Sequence, residues 1–138
     1  MKRISFITKS CIAVILVVVA IILVLLARNY VDTSFATEIS LQYYDLDTPV
    51  NVIVTDADDI NVIKENLRGI SFAGGSSCGF SLNMSITFSD GNRSITICPA
   101  CDSCSLAQIG ETDRYIHIKD REALEAVLEK YGMLFPWI

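Results

Sequence analysis

The sequence predicts an α+β protein: an N-terminal transmembrane helix followed by a small, mostly antiparallel sheet with two helices on one face. Three observations lead to this prediction. An uncharged apolar run lies near the N-terminus, two later segments have helical apolar periodicity, and alternating segments flank an Asp-Gly turn. The chain has 138 residues, which is about the length of one domain.

The apolar run, CIAVILVVVAIILVLLA, occupies residues 11–27. It accounts for an overall composition that is 51% hydrophobic with a mean hydropathy of +0.44, and it is long enough to cross a bilayer once. Three basic residues precede the run and only Arg28 follows it closely. The positive-inside rule therefore predicts a single-pass cell-membrane protein with its N-terminus inside and its C-terminal domain outside.

A cleaved signal peptide is the alternative, because Ser34-Phe35-Ala36 resembles a cleavage site. That site lies well beyond the end of the run, which favours a retained anchor. The predicted organisation is a cytoplasmic N-terminus at 1–10, a transmembrane helix at 11–27, a spacer at 28–48 and an extracytoplasmic α+β domain at 49–138.

The exported part of the chain is acidic. From Asn29 onward it contains seven basic and sixteen acidic residues, a net charge of −9. Such a surface repels nucleic acid and anionic head groups, so we expect no nucleic-acid partner. The expected partners are the membrane, through residues 11–27, and a protein of the cell envelope.

The domain begins with Val50–Val54, whose β-branched residues predict a mostly buried strand. A helix follows, with Ile60, Ile63 and Leu67 on its apolar face. Further along, residues 114–119 alternate as a strand, and residues 120–131 have the pattern of a second amphipathic helix.

The central element is a predicted hairpin. Residues 82–88 and 94–97 alternate around Asp90-Gly91, a dipeptide typical of two-residue type I′ turns, which would place Ser89 opposite Asn92. One face then carries polar side chains, which we identify as a candidate recognition surface: Asn83, Ser85, Thr87, Ser94 and Thr96. The same register places Cys98 on this face, with Cys101 and Cys104 in the turn that follows.

Four exported cysteines, Cys78, Cys98, Cys101 and Cys104, admit three interpretations. An even number in an oxidising compartment favours disulfides, in any of three pairings. A zinc site made by all four thiolates is the second interpretation, although structural zinc sites usually have two separated CxxC knuckles. The third is a thiol-disulfide redox protein that uses Cys98 and Cys101, but no helix start follows the pair to stabilise a thiolate.

No pattern predicts catalysis. The chain has one histidine, His117, and no GxSxG elbow for a hydrolase. We therefore do not expect an enzyme, and we expect no cofactor, with zinc bound by the four cysteines as the alternative. We expect a cysteine-stapled module that binds a protein or a small ligand in the cell envelope.

Several short motifs also carry a resemblance to a known group of proteins. The chain resembles small membrane-anchored proteins of Gram-positive bacteria that share a CGF…ITFSDG…CPACDxC pattern, and the similarity covers roughly residue 50 to the C-terminus. The resemblance implies a bacterial cell-envelope location and no particular chemistry. The matching motifs are Cys78-Gly79-Phe80, Ile86-Thr87-Phe88 before Asp90-Gly91, Cys98-Pro99-Ala100-Cys101-Asp102 with Cys104, and Lys130-Tyr131-Gly132 before Phe135-Pro136.

Overall fold

A computed structural model describes residues 2–45 and 47–135, with side chains described from residue 10 onward in the first helix. Parts of three predicted segments lie outside the described residues: residue 1 of the N-terminal segment, residue 46 of the spacer and residues 136–138 of the α+β domain. The chain forms two compact units, which divide between Tyr30 and Val31.

The first unit consists of one helix, α1 (Lys2–Asn29). Its segment Ser10–Asn29 is long and apolar enough to span a membrane, and none of it is buried against protein. This matches the predicted span at 11–27 and fits a single-pass anchor. The helix extends beyond the predicted span at both ends because helical hydrogen bonding continues through the polar residues that flank the apolar run.

The second unit is the α+β domain that the sequence predicts. Its seven-stranded sheet is antiparallel, with the strand order β3-β2-β6-β7-β8-β9-β5, and β1 and β4 form a separate two-stranded sheet. The elements, in chain order, are β1 (Tyr30–Val31), β2 (Glu38–Asp45), β3 (Thr48–Val54), α2 (Ala57–Asn66), β4 (Gly69–Ile70), β5 (Phe72–Ala73), β6 (Ser85–Ser89), β7 (Ser94–Pro99), β8 (Leu106–Ile109), β9 (Arg114–His117) and α3 (Arg121–Lys130).

One face of this sheet forms the core. The register aligns the inward-facing residues Leu41, Ile86 and Ile97 across three neighbouring strands, and all three are fully buried. Both helices cover that face, through Ile63 of α2 and Leu128 of α3 among others. The two helices are joined to each other by Asp59, whose carboxylate accepts hydrogen bonds from Lys130 Nζ at 2.7 Å and Tyr131 Oη at 3.0 Å.

The segment that we interpreted as a spacer, residues 28–48, is part of the folded unit from Val31 onward. It contains β2, which pairs with β3 on one side and β6 on the other. Thr33 is fully buried and donates a hydrogen bond to the Lys64 carbonyl at 2.9 Å. Because β2 occupies the interior position, β3 lies at the edge of the sheet and is only partly buried, in contrast to the buried strand that its sequence predicts.

The hairpin of β6 and β7 is present, but its register differs from the predicted one by two residues. Ser89 pairs with Ser94 instead of Asn92, and Phe88 pairs with Ile95. The reason is local: the Asp90 carboxylate accepts hydrogen bonds from the backbone N–H groups of Asn92 (2.9 Å) and Arg93 (2.7 Å), which stabilises a four-residue turn. A shift of two residues keeps each side chain on its predicted face.

Candidate functional site

The most distinctive local structure is the cysteine turn, residues 100–105, which connects β7 to β8. A disulfide joins Cys104 in this turn to Cys78 in the loop before β6; the two Cα atoms are 6.0 Å apart and the residues are 26 positions apart in sequence. The predicted cross-link from Cys78 into the turn is therefore present, and its partner is Cys104. By chain-entropy arithmetic, closing a loop of this length contributes about 3 to 4 kcal/mol to stability.

Asp102 reinforces the same connection. Its carboxylate accepts hydrogen bonds from the backbone N–H of Gly79 at 3.1 Å and of Cys104 at 3.0 Å, so one side chain links both segments that the disulfide joins. These two N–H groups, with a smaller contribution from Arg121, lower the pKa of the Asp102 carboxyl. The Cys101 N–H adds a further link by donating to the Gly79 carbonyl at 2.8 Å.

Arg121, the first residue of α3, holds the turn from the other side. Its guanidinium donates to the carbonyls of Ala100 (2.9 Å) and Cys104, and its Nε donates to Glu125 at 2.6 Å. The Arg121 side chain is only 11% exposed. The role of Arg121 was not predicted from the sequence, where its one signal is a glutamate four positions later along the helix.

The two remaining cysteines of the α+β domain are in different surroundings. Cys98 was predicted on the polar face at the open end of the hairpin, but β8 pairs with that end of β7, so Cys98 lies opposite Gln108 inside the sheet and is fully buried. Burial, followed by the nearby Cys101 and Glu111, raises the pKa of the Cys98 thiol to about 11. Burial also raises the pKa of Cys101. Both groups are therefore protonated thiols at neutral pH.

The four cysteines do not form one ligand set. Among the described residues, the group with metal-ligand spacing is Cys78, Asp102 and Cys104, whose ligand atoms lie within 4.8 Å of one another. Two of these atoms are the sulfurs of the disulfide, which has no thiolate to offer a metal. The expected alternative of zinc held by Cys78, Cys98, Cys101 and Cys104 thus has no assembled site in this arrangement.

The predicted polar surface is divided by the structure. Asn83 and Ser94 are exposed, and Thr87 and Thr96 are half-buried and share a hydrogen bond of 3.0 Å between their hydroxyls. Ser85 is buried and pairs with Gln42 of β2. The accessible part of this surface therefore consists of four of the five predicted residues.

A polar cleft lies beside the cysteine turn. It has a volume of about 320 Å³ and is lined by residues of the turn and of the start of α3. Its lining combines Arg121 with residues that carry hydroxyl and carboxylate groups. The lining residues are Asp102, Ser103, Ser105, Arg121, Glu122 and Glu125.

Comparison with protein-family models, with curated proteins and with solved structures finds no match to this chain.

Proposed function

We propose that the protein is a membrane-anchored, extracytoplasmic binding module of the bacterial cell envelope. In this proposal α1 is the anchor and the cysteine turn, with the exposed part of the polar sheet face, is the recognition surface. The disulfide between Cys78 and Cys104 is the observation that supports the proposal most directly, because such bonds persist in oxidising compartments.

The cysteine turn is suited to recognition because its backbone is held at several points. The disulfide, the Asp102 carboxylate and the Arg121 guanidinium each bond to it. A fixed turn loses little conformational entropy when it binds, so hydroxyl and carboxylate groups on its surface can contribute more to affinity. The adjoining cleft of about 320 Å³ is of a size that admits a small polar group or a side chain of a partner.

The redox and zinc alternatives receive less support from the same residues. A redox dithiol needs an accessible thiolate, and Cys98 is fully buried with its pKa raised to about 11. A four-thiolate zinc site needs Cys98 and Cys101 beside Cys78, and neither belongs to the group with metal-ligand spacing.

Location can be tested separately from binding. In intact bacterial cells that express the full chain with a C-terminal epitope, we expect external protease to remove the epitope. The domain should also carry one disulfide and two free thiols when it is denatured in alkylating reagent. A protected epitope, or four alkylated cysteines in the exported domain, would refute the extracytoplasmic assignment.

Binding can be tested with the full chain in nanodiscs, using a thermal-shift screen of soluble envelope fragments. We expect any ligand that raises the melting temperature to lose its effect in the Thr96→Lys and Ser103→Lys variants. Asn61→Lys, on the exposed side of α2, is the matched control and should show the same rise in melting temperature as the wild type. Equal shifts in all variants would show that the recognition surface lies elsewhere.

A further inference from the structure

The two edges of the seven-stranded sheet differ in length and chemistry. At one end, β5 has only two residues. At the other end, β3 presents seven residues that hydrogen-bond to β2 alone within the sheet. Natural edge strands are usually protected by charged side chains, prolines or short length. The sequence of β3, TPVNVIV, contains no charge, and its single proline, Pro49, lies near its start.

Acidic residues flank this uncharged edge on both sides. Asp45 and Asp47 precede β3, Asp56 and Asp58 follow it, and all four are exposed. No lysine or arginine occurs in the sequence between Arg28 and Lys64. The edge is therefore a neutral strip, roughly 23 Å long at about 3.3 Å per residue, with two carboxylates at each end.

This charge pattern discriminates between occupants. A second copy that paired through β3, in either orientation, would bring acidic ends against acidic ends, and like charges oppose that pairing. A strand with basic residues at both ends would instead place opposite charges together in either orientation. Such a strand would need an uncharged, β-prone centre of about the same length.

We propose that the β3 edge binds an extended segment of a partner protein by strand addition, the segment being uncharged in its centre and basic at both ends. Backbone hydrogen bonds to β3 supply affinity, and the flanking carboxylates supply specificity. Ile53, which is 54% exposed, and the exposed Asn51 offer side-chain contacts along the strip. This site is separate from the cysteine turn, so its test does not depend on the proposed recognition surface.

The test uses the full chain in nanodiscs of zwitterionic lipid and a synthetic peptide of alternating threonine and valine with two lysines at each end. We expect saturable binding that weakens as salt rises. Hydrogen exchange should show new protection at residues 48–54 and none at β5. Neutralising three flanking carboxylates, in an Asp45→Asn, Asp47→Asn and Asp58→Asn variant, should weaken binding about tenfold.

Matched controls separate strand addition from simple charge attraction. A triple variant with the same charge change elsewhere, Glu111→Gln, Asp113→Asn and Glu129→Gln, all at exposed positions, should bind as the wild type does. A peptide with the same lysines but a proline-interrupted centre should not bind. Absence of binding, equal binding of the interrupted peptide, or self-association of the chain through β3 would each overturn the proposal.

Discussion

The four cysteines of the α+β domain form two pairs with different chemical states. Cys78 and Cys104 lie in loops and are joined by a disulfide, whereas Cys98, in β7, and Cys101, in the cysteine turn, keep their thiols. The CxxCxxC spacing does not distinguish them. Proximity in sequence therefore does not determine which cysteines form the disulfide. The structural element that holds each cysteine determines it, because that element sets which sulfur atoms the side chain can reach.

The largest expected effect comes from removing the bond. Replacing Cys104 with Ser should lower the free energy of unfolding by about 3 to 4 kcal/mol, because the unfolded chain regains the entropy of a long loop. Chemical denaturation of the full chain in detergent measures this free energy of unfolding. The Cys78→Ser variant and the double variant should show the same loss. A much larger loss of stability in the double variant would mean that, in the single variants, the remaining thiol had formed a disulfide with another cysteine.

The second prediction concerns the pair that keeps its thiols and is tested by the reactivity of Cys98. With its pKa raised to about 11, Cys98 should react with iodoacetamide about a hundredfold more slowly at pH 8 than an ordinary thiol, because only the thiolate attacks. Its rate should rise as pH increases toward that value. Mass spectrometry of the folded protein gives the rate at each cysteine, and fast labelling of Cys98 would contradict its burial.

A smaller loss is expected at Arg121. Arg121→Lys should lower the free energy of unfolding by about 1 to 3 kcal/mol. A single ammonium cannot reproduce the hydrogen bonds of the guanidinium to Ala100, Cys104 and Glu125. The control is Lys119→Arg at the exposed pair with Glu65, where we expect almost no change. Equal stabilities for the two variants would show that the turn does not depend on α3.

The smallest effect concerns Asp102 and is best seen through pH. Its pKa in the folded protein is below the ordinary value of 3.8, so the ionised carboxylate stabilises the fold above about pH 4. That contribution is lost as pH falls through the lowered pKa. The difference in melting temperature between wild type and Asp102→Asn should therefore shrink from pH 7 to pH 3. A constant difference would point to packing instead of charge.

Much of the fold could be predicted from periodicity. The membrane-type helix, both amphipathic helices and the alternating strands around Asp90 all appear where their patterns place them, since each pattern reflects burial on one face. β2 lies in the segment interpreted as a spacer, because its alternation is short and ends at Tyr44. β8 (Leu106–Ile109) is not among the predicted strands, because Ala107 and Gln108 give little strand signal.

The site was harder to predict. The sequence predicted four thiols near one another but left three pairings open. Cys78 and Cys104 lie in loops that are held together by contacts to backbone N–H groups, such as those of Asp102, which no sequence pattern marks. Arg121 was missed for a similar reason. Its partners are backbone carbonyls in a turn, and no side-chain pattern marks a carbonyl acceptor.

The anchoring of the turn by Arg121 has a practical consequence for engineering. A cyclic peptide that copies residues 78–104 would keep the ring but lose the α3 guanidinium that fixes two of its carbonyls. A scaffold that receives this loop, or an immunogen that presents it, would therefore need an equivalent of this partly buried arginine as well.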